Sequence, residues 1–271
     1  MGKFISIYEA MSQAEVLEGM SSEDISQEIA NSKMPIVLKG LVSDWPFVQA
    51  SQRSFQEAIE YLLNYDQGMA IGAGFLPSKH HGRLFYNEDF SSFNFDRVTT
   101  NLVDFFNHFV SQNDSENPPG MYVGSTNVDK LLPGFRKSND IAALANNNPL
   151  ASIWISNKTR ISAHHDVPQN IACCVTGKRR FTLFPPEQVE NLYIGPLDNT
   201  PAGQAISLVD FNNPDFEQFP KFERAIKTGI VAELEPGDAL VLPSMWWHHV
   251  EGLDNLNILI NYWWQSTPAY M

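Results

Sequence analysis

The sequence predicts a mainly β fold of the barrel or jelly-roll class, with helices flanking it at the N-terminal side and in one insertion. Three observations predict it. Short β-type runs separated by Gly, Pro and Asn recur from about residue 120 onward. Two histidine-bearing motifs, around His164 and His248, lie far apart along the chain, with room for several strands and an insertion between them, and a barrel can bring strands that distant together. At 271 residues with 43% hydrophobic and 12% aromatic content, the chain can fill one large core without a second domain.

Residues 7–31 carry Ala, Met, Glu and Leu at helix-compatible spacing, and Ser21-Ser22-Glu23-Asp24 offers a cap, so 1–34 is expected to form an outer helical layer. Met34 to Gly40 reads as a short apolar strand closed by glycine, and Trp45-Pro46 as a turn. Apolar periodicity marks helices over 54–63 and 102–111. Strands follow at Tyr122-Val123, 152–156, 169–175, 180–184, 229–234, 239–242, 248–251 and 256–264, giving a barrel core over about 120–264. An irregular stretch, 187–228, interrupts it and carries a helix near 216–227; an insertion of that length at a barrel mouth is more often functional than idle. The whole of 1–271 is read as a single domain.

A net charge of −13 opposes nucleic acid, and the one compact basic cluster, Lys178-Arg179-Arg180, has a better use inside the barrel. Cys173 and Cys174 are adjacent in an apolar strand, point to opposite faces and are expected to be buried and reduced. With no long apolar run near the N-terminus, the protein is expected to be soluble and cytoplasmic, with no membrane partner. Met1 to Ser6 fits the permissive N-myristoylation pattern, but one acyl chain without a polybasic neighbour anchors only marginally.

The chemistry concentrates in His164-His165-Asp166-Val167-Pro168-Gln169-Asn170 and Trp246-Trp247-His248-His249-Val250. Alternate residues of a strand share a face, so His164 and Asp166 can point together at one ion while His165 points away. His248 as a third ligand completes a two-histidine, one-carboxylate facial triad, the arrangement that holds Fe(II) and leaves three positions open. An oxygenase of this type using a 2-oxoacid cosubstrate needs an anion anchor inside the barrel. Alternation over Arg179, Phe181 and Leu183 turns Arg179 inward, either to that carboxylate or to an internal Asp or Glu. Asn257, Leu259, Asn261 and Trp263 share a face, which lines the site or is ordinary core. His80-His81 lacks a carboxylate and is left solvated; His108 is read as a surface or helix-packing residue.

These residues carry a resemblance. Ala163-His164-His165-Asp166, Gly177-Lys178-Arg179-Arg180, Leu183-Phe184-Pro185-Pro186, Val209 to Pro214, Pro236-Gly237-Asp238, Trp246 to His249 and Asn261-Tyr262-Trp263 together resemble the Jumonji C branch of the 2-oxoglutarate- and Fe(II)-dependent oxygenases. Within it they are most similar to the cupin-like proteins related to the asparaginyl hydroxylase that inhibits the hypoxia-inducible factor. The resemblance implies a double-stranded β-helix, His164, Asp166 and His248 as ligands, and Tyr122, Asn170, Asn261 and Trp263 at active-site positions. It implies a hydroxylase acting on a protein side chain or a small molecule. Arg179 stands where that hydroxylase holds 2-oxoglutarate with lysine, Ile161 where a threonine assists, and Ala205 and Ile206 where an arginine and a glutamine meet substrate. An asparagine substrate therefore does not carry over, and a cupin that binds metal without turnover is the alternative. A homodimer is compatible with the resemblance, but the sequence ends soon after Trp264, before the helices through which that hydroxylase dimerises would come.

Overall fold

In the computed structural model, which describes residues 6–112 and 115–265, two sheets face each other across an apolar interior. The acylation pattern lies almost wholly outside those residues. Along the chain run β1 (Ser12–Gln13), β2 (Glu15–Leu17), α1 (Gln27–Ala30), β3 (Ile36–Leu38), α2 (Pro46–Arg53), α3 (Phe55–Leu63), β4 (Ile71–Leu76), β5 (Arg83–Leu84), β6 (Asp96–Thr100), α4 (Leu102–Gln112), β7 (Gly120–Asn127) and α5 (Val128–Leu131). Then come β8 (Leu150–Ser156), β9 (Arg160–His164), β10 (Gln169–Thr176), β11 (Arg179–Phe184), α6 (Phe222–Ile226), β12 (Ile230–Leu234), β13 (Ala239–Leu242), β14 (Trp247–Gly252) and β15 (Asn257–Trp264).

One sheet has the order β1-β12-β11-β14-β9-β5 and the other β2-β3-β13-β10-β15-β8-β7-β4-β6. From β8 to β15 the chain changes sheet at every strand except between β11 and β12, which are neighbours joined by the long insertion. That alternation is the double-stranded β-helix. All eight residues of β10 are buried, because one face meets the interior and the other meets helices. Cys173 belongs to the outer cluster with Phe47, Phe105 and Tyr262, while Cys174 belongs to the inner one with Phe181, Leu183 and Leu259. Burial pushes the Cys174 thiol up to about 12, so both cysteines are inert apolar residues.

Helices cover the outer face of the larger sheet. Ser54 caps α3 by accepting from Glu57 N at 3.1 Å, and α4 buries Leu102, Phe105, Phe106 and Phe109, a stripe at i, i+3, i+4 and i+7. Each fully buried phenylalanine contributes about 1.5–3 kcal/mol relative to an exposed one. His108, on the same helix, packs edge-on against Phe75 with ring centres 5.1 Å apart.

The N-terminal segment departs from the expected helical layer over 1–34. Its described part holds a 3-10 turn at Ile7–Ala10, two short strands and the four-residue α1. Here β1 pairs in parallel with β12 and β2 with β3, so one strap crosses from one sheet to the other at the buried Ala14. Sheet edges left bare would expose unpaired N–H and C=O groups, and that demand outweighs a weak helix propensity. Further elements were not legible, among them α2, β4 and β6. Pro46 opens α2 at its first position instead of ending a turn, and β4 and β6 extend the larger sheet upstream of residue 120. Within the insertion, α6 is a five-residue version of the helix expected near 216–227.

Candidate metal centre

His164 closes β9 and sits directly opposite His248 on the antiparallel neighbour β14, which is how ligands so distant in sequence come to share one place. Asp166 lies two residues past the end of β9 and not within it, as the strand pattern implied. The loop holding it is fastened to the β13–β14 turn, where Met245 N donates to Asp166 O at 2.8 Å and Ser244 Oγ to Val167 O. Met245 takes a left-handed φ of 66° in that turn. His165 turns to the other side and meets Trp247, ring centres 4.5 Å apart.

The ligand atoms of His164, Asp166 and His248 lie within 4.8 Å of one another, the one His/Cys/Asp/Glu group of this kind among the described residues. His248 Nε2 is 3.7 Å from Asp166 Oδ2, and the two imidazole centres are 4.2 Å apart. Each Nδ1 faces a backbone carbonyl, Ser162 O at 2.9 Å from His164 and Trp246 O at 3.0 Å from His248. A carbonyl only accepts, so Nδ1 donates and Nε2 keeps its lone pair. Two lone pairs and a carboxylate oxygen turned toward each other repel unless a cation lies among them. The donor set therefore fits a divalent ion, with backbone carbonyls orienting both rings from behind.

Burial, then the neighbouring His164, brings His248 down to about 4; burial also brings His249, which stacks on Phe211 on the outer side of β14, to about 4. Unfolded histidine titrates near 6.5, so between about pH 6.5 and about pH 4 the unfolded chain binds protons that the folded one does not. The metal-free protein is expected to keep its stability above about pH 7 and to lose it as pH falls through that window. Thermal midpoints from about pH 8 to pH 4.5 check this, and a flat profile would contradict it.

A cavity of about 560 Å³ opens beside these ligands, with His164, Asp166, Tyr122, Trp154, Trp263 and Ile161 among its walls and Phe95, Arg97 and Pro201 among its lining residues. Burial raises the pKa of the Tyr122 hydroxyl, which also feels Arg179 and Asp166 electrostatically. Trp263 Nε1 is buried without a hydrogen-bond partner. Asn170 and Asn261 lie one layer back: Asn261 accepts from Trp154 Nε1 at 2.7 Å and donates to Asn170 Oδ1 at 3.3 Å. Trp263 thus lines the space, while Asn261, on the same strand face, is a satisfied amide behind it.

Arg179 turns inward with Phe181 and Leu183 as alternation required, and is 5% exposed. Its Nε and Nη2 have no hydrogen-bond partner, and among the described residues no carboxylate pairs with it. The internal salt bridge left open by the sequence is thereby excluded for the described residues; the basic neighbour Arg180 takes Glu233 and Glu251 instead. Burial pulls the Arg179 pKa below its usual value. A buried guanidinium with free N–H groups is costly alone and suits an anionic guest.

Ile161 does face the cavity, and Ser162, two residues before His164 and so on its face of β9, lines the wall beside it; a register shift in the β9–β14 pairing lets the two consecutive residues do so, and a hydroxyl-bearing side chain is present. Of Ala205 and Ile206, Ile206 is in the wall; Gln204, which the sequence reading passed over, is there too and donates to Asp166 Oδ1 at 3.2 Å. Trp154 was legible from β8, where it alternates with the outward Ile153 and Ile155. Gln204 sits in irregular chain and carried no periodic signal.

A double-stranded β-helix with two imidazoles and one carboxylate at its mouth is the class that fold and site define. The chain belongs to the cupin-like domain family, whose profile matches residues 22–270. It is 31% identical over 139 residues to Lysine-specific demethylase JMJ31 of Arabidopsis thaliana, covering 50% of this chain and 25% of that protein. It is 26% identical over 278 residues to tRNA wybutosine-synthesizing protein 5 of Gallus gallus, covering 95% and 78%. Similarity to HSPB1-associated protein 1 of Mus musculus is 24% over 262 residues, covering 93% and 52%. The matched segment thus spans a quarter of the demethylase and about half of the mouse protein. Among the described residues no helix is long and apolar enough to cross a membrane.

Proposed function

We propose that this chain is an Fe(II)- and 2-oxoglutarate-dependent oxygenase that hydroxylates a protein side chain or a small molecule. The observation that carries the reading is the pairing of two unlike chemistries in one barrel: a cluster of three metal-type donors at the mouth and an unpartnered guanidinium within. His164 and His248 would hold the ion through Nε2 and Asp166 through Oδ2, while Arg179 neutralises the far carboxylate of the 2-oxoacid. When bound, the ion and cosubstrate supply oxidative decarboxylation and an oxidant able to hydroxylate a C–H bond. Tyr122, Trp154 and Trp263 exclude water from the space where substrate would lie, and Trp263 Nε1 is free to donate.

The net charge of −13 favours a protein or small-molecule substrate over nucleic acid, and the buried reduced cysteines suit the cytoplasm. The similarity to a tRNA-modifying protein makes tight, salt-sensitive tRNA binding the result that would reverse the first judgement. A metal-binding cupin without turnover remains the second reading, motivated by Ile161 in the cavity wall. Anaerobic titration of the Fe(II)-loaded protein with 2-oxoglutarate separates the two. A visible charge-transfer band is the expected result, and iron binding with no band at any concentration would favour the second reading.

A further inference from the structure

Among the described residues, one side chain of the insertion hydrogen-bonds a candidate metal ligand. Gln204 Nε2 donates to Asp166 Oδ1 at 3.2 Å, and among the described residues it is the one donor to that carboxylate. The Asp166 backbone is held by Met245 N, but a carboxylate left to itself rotates and averages its two oxygens. A charge-assisted bond to Oδ1 stops that rotation and leaves Oδ2 facing His248.

Gln204 is in turn part of a roof. Its segment, 196–206, is tied to the aromatic segment 85–97, which runs into β6, by three bonds: Tyr86 OH to Asn199 O at 2.7 Å, Asn199 Nδ2 to Phe90 O at 2.9 Å, and Arg97 to the Pro201 carbonyl. The guanidinium of Arg97 lies 4.7 Å from the Phe93 ring centre, which fixes the rim of the cavity. Gly203, at φ +94°, makes the bend that precedes Gln204, a conformation open to glycine at no steric cost. The loop that covers the cavity and the residue that orients Asp166 are therefore one piece of chain.

We propose that Gln204 is a positioning residue that couples seating of this roof to metal binding at His164, Asp166 and His248. The inference rests on the metal reading of those three residues. Seating the roof fixes Asp166 in its ligating orientation, and by linkage an ion at the site holds the roof down. Outer-shell partners of metal ligands contribute about 10–100-fold in affinity, and Gln204 is such a partner reached from the insertion.

The test uses Mn(II), a redox-stable divalent ion, titrated into metal-free protein and followed by the electron paramagnetic resonance of the free ion. Gln204→Ala is expected to weaken Mn(II) binding by roughly tenfold or more. Mn(II) should slow amide hydrogen exchange across 196–206 in wild type and not in Gln204→Ala, a readout that a merely structural glutamine would not move. Tyr86→Phe cuts a tether outside the metal site; it should weaken Mn(II) binding several-fold in wild type and have no effect when Gln204 is already alanine. Wild-type affinity in Gln204→Ala, metal-independent exchange in 196–206, or additive effects of the two substitutions would overturn the coupling. His164→Ala separates the two levels of failure. If it loses Mn(II) while Gln204→Ala does not, the coupling alone falls; if wild type binds none, the metal reading falls and the coupling with it.

Discussion

Alanine at position 164 is expected to remove Fe(II) binding, by more than about a hundredfold in affinity, and all turnover with it. Loss of a mere supporting group costs up to about a hundredfold, and His164 is placed to supply a ligand atom itself. Its neighbour cannot take over, because His165 is turned away against Trp247 and the β9–β14 register that sets His164 opposite His248 fixes that orientation. His165→Ala is thus the matched control, with iron retained and at most a packing loss. Metal content after purification, together with calorimetric titration, reads both variants. An alanine variant at 164 that holds iron as tightly as wild type would remove the ligand assignment.

Arg179→Met should produce two effects of opposite sign. Arg179 is buried and unpartnered at Nε and Nη2, so the apo protein bears a desolvation penalty that a neutral side chain of similar volume removes. A gain of about 1–3 kcal/mol in unfolding free energy is expected. The same substitution deletes the cation proposed to hold the far carboxylate of 2-oxoglutarate, so the charge-transfer band should vanish at concentrations that saturate wild type. A fall in stability would mean that Arg179 has an internal partner. A gain with cosubstrate binding unchanged would mean that the anion is held elsewhere.

Most of the barrel was legible because its strands are apolar, short and punctuated by Gly, Pro and Asn. Ala239–Leu242 coincides with the reading, and β10, β11 and β15 differ from it by one residue at one end. The candidate triad was legible for a different reason, since the His-x-Asp spacing and the chemistry of its side chains are local properties, although Asp166 lies past the strand that alternation assumed. What local pattern could not carry was edge pairing and irregular backbone. The strap at Ser12–Leu17 becomes strand only because two sheet edges need partners, β12 near the far end of the chain and β3 a short way downstream. Ile161 and Ser162, consecutive residues, both reach the cavity wall because the β9–β14 register shifts there, and Gln204 reaches Asp166 from a loop without periodicity. The fate of Arg179 was undecidable from one strand, because whether an inward cation is paired depends on every other strand of the barrel.

The candidate ligands are divided between the two halves of the β-helix. His164 and Asp166 come from the half ending at β11, and His248 from the half beginning at β12. Neither half alone holds more than two of the three donors, so an ion bound there would act as a clasp across a seam. Its binding energy would add to the cohesion of the halves, and anything that loosens their fit, however far from the mouth, would lower its affinity in equal measure. A metal titration of this protein therefore doubles as a strain gauge for the seam, sensitive to core substitutions that touch no ligand.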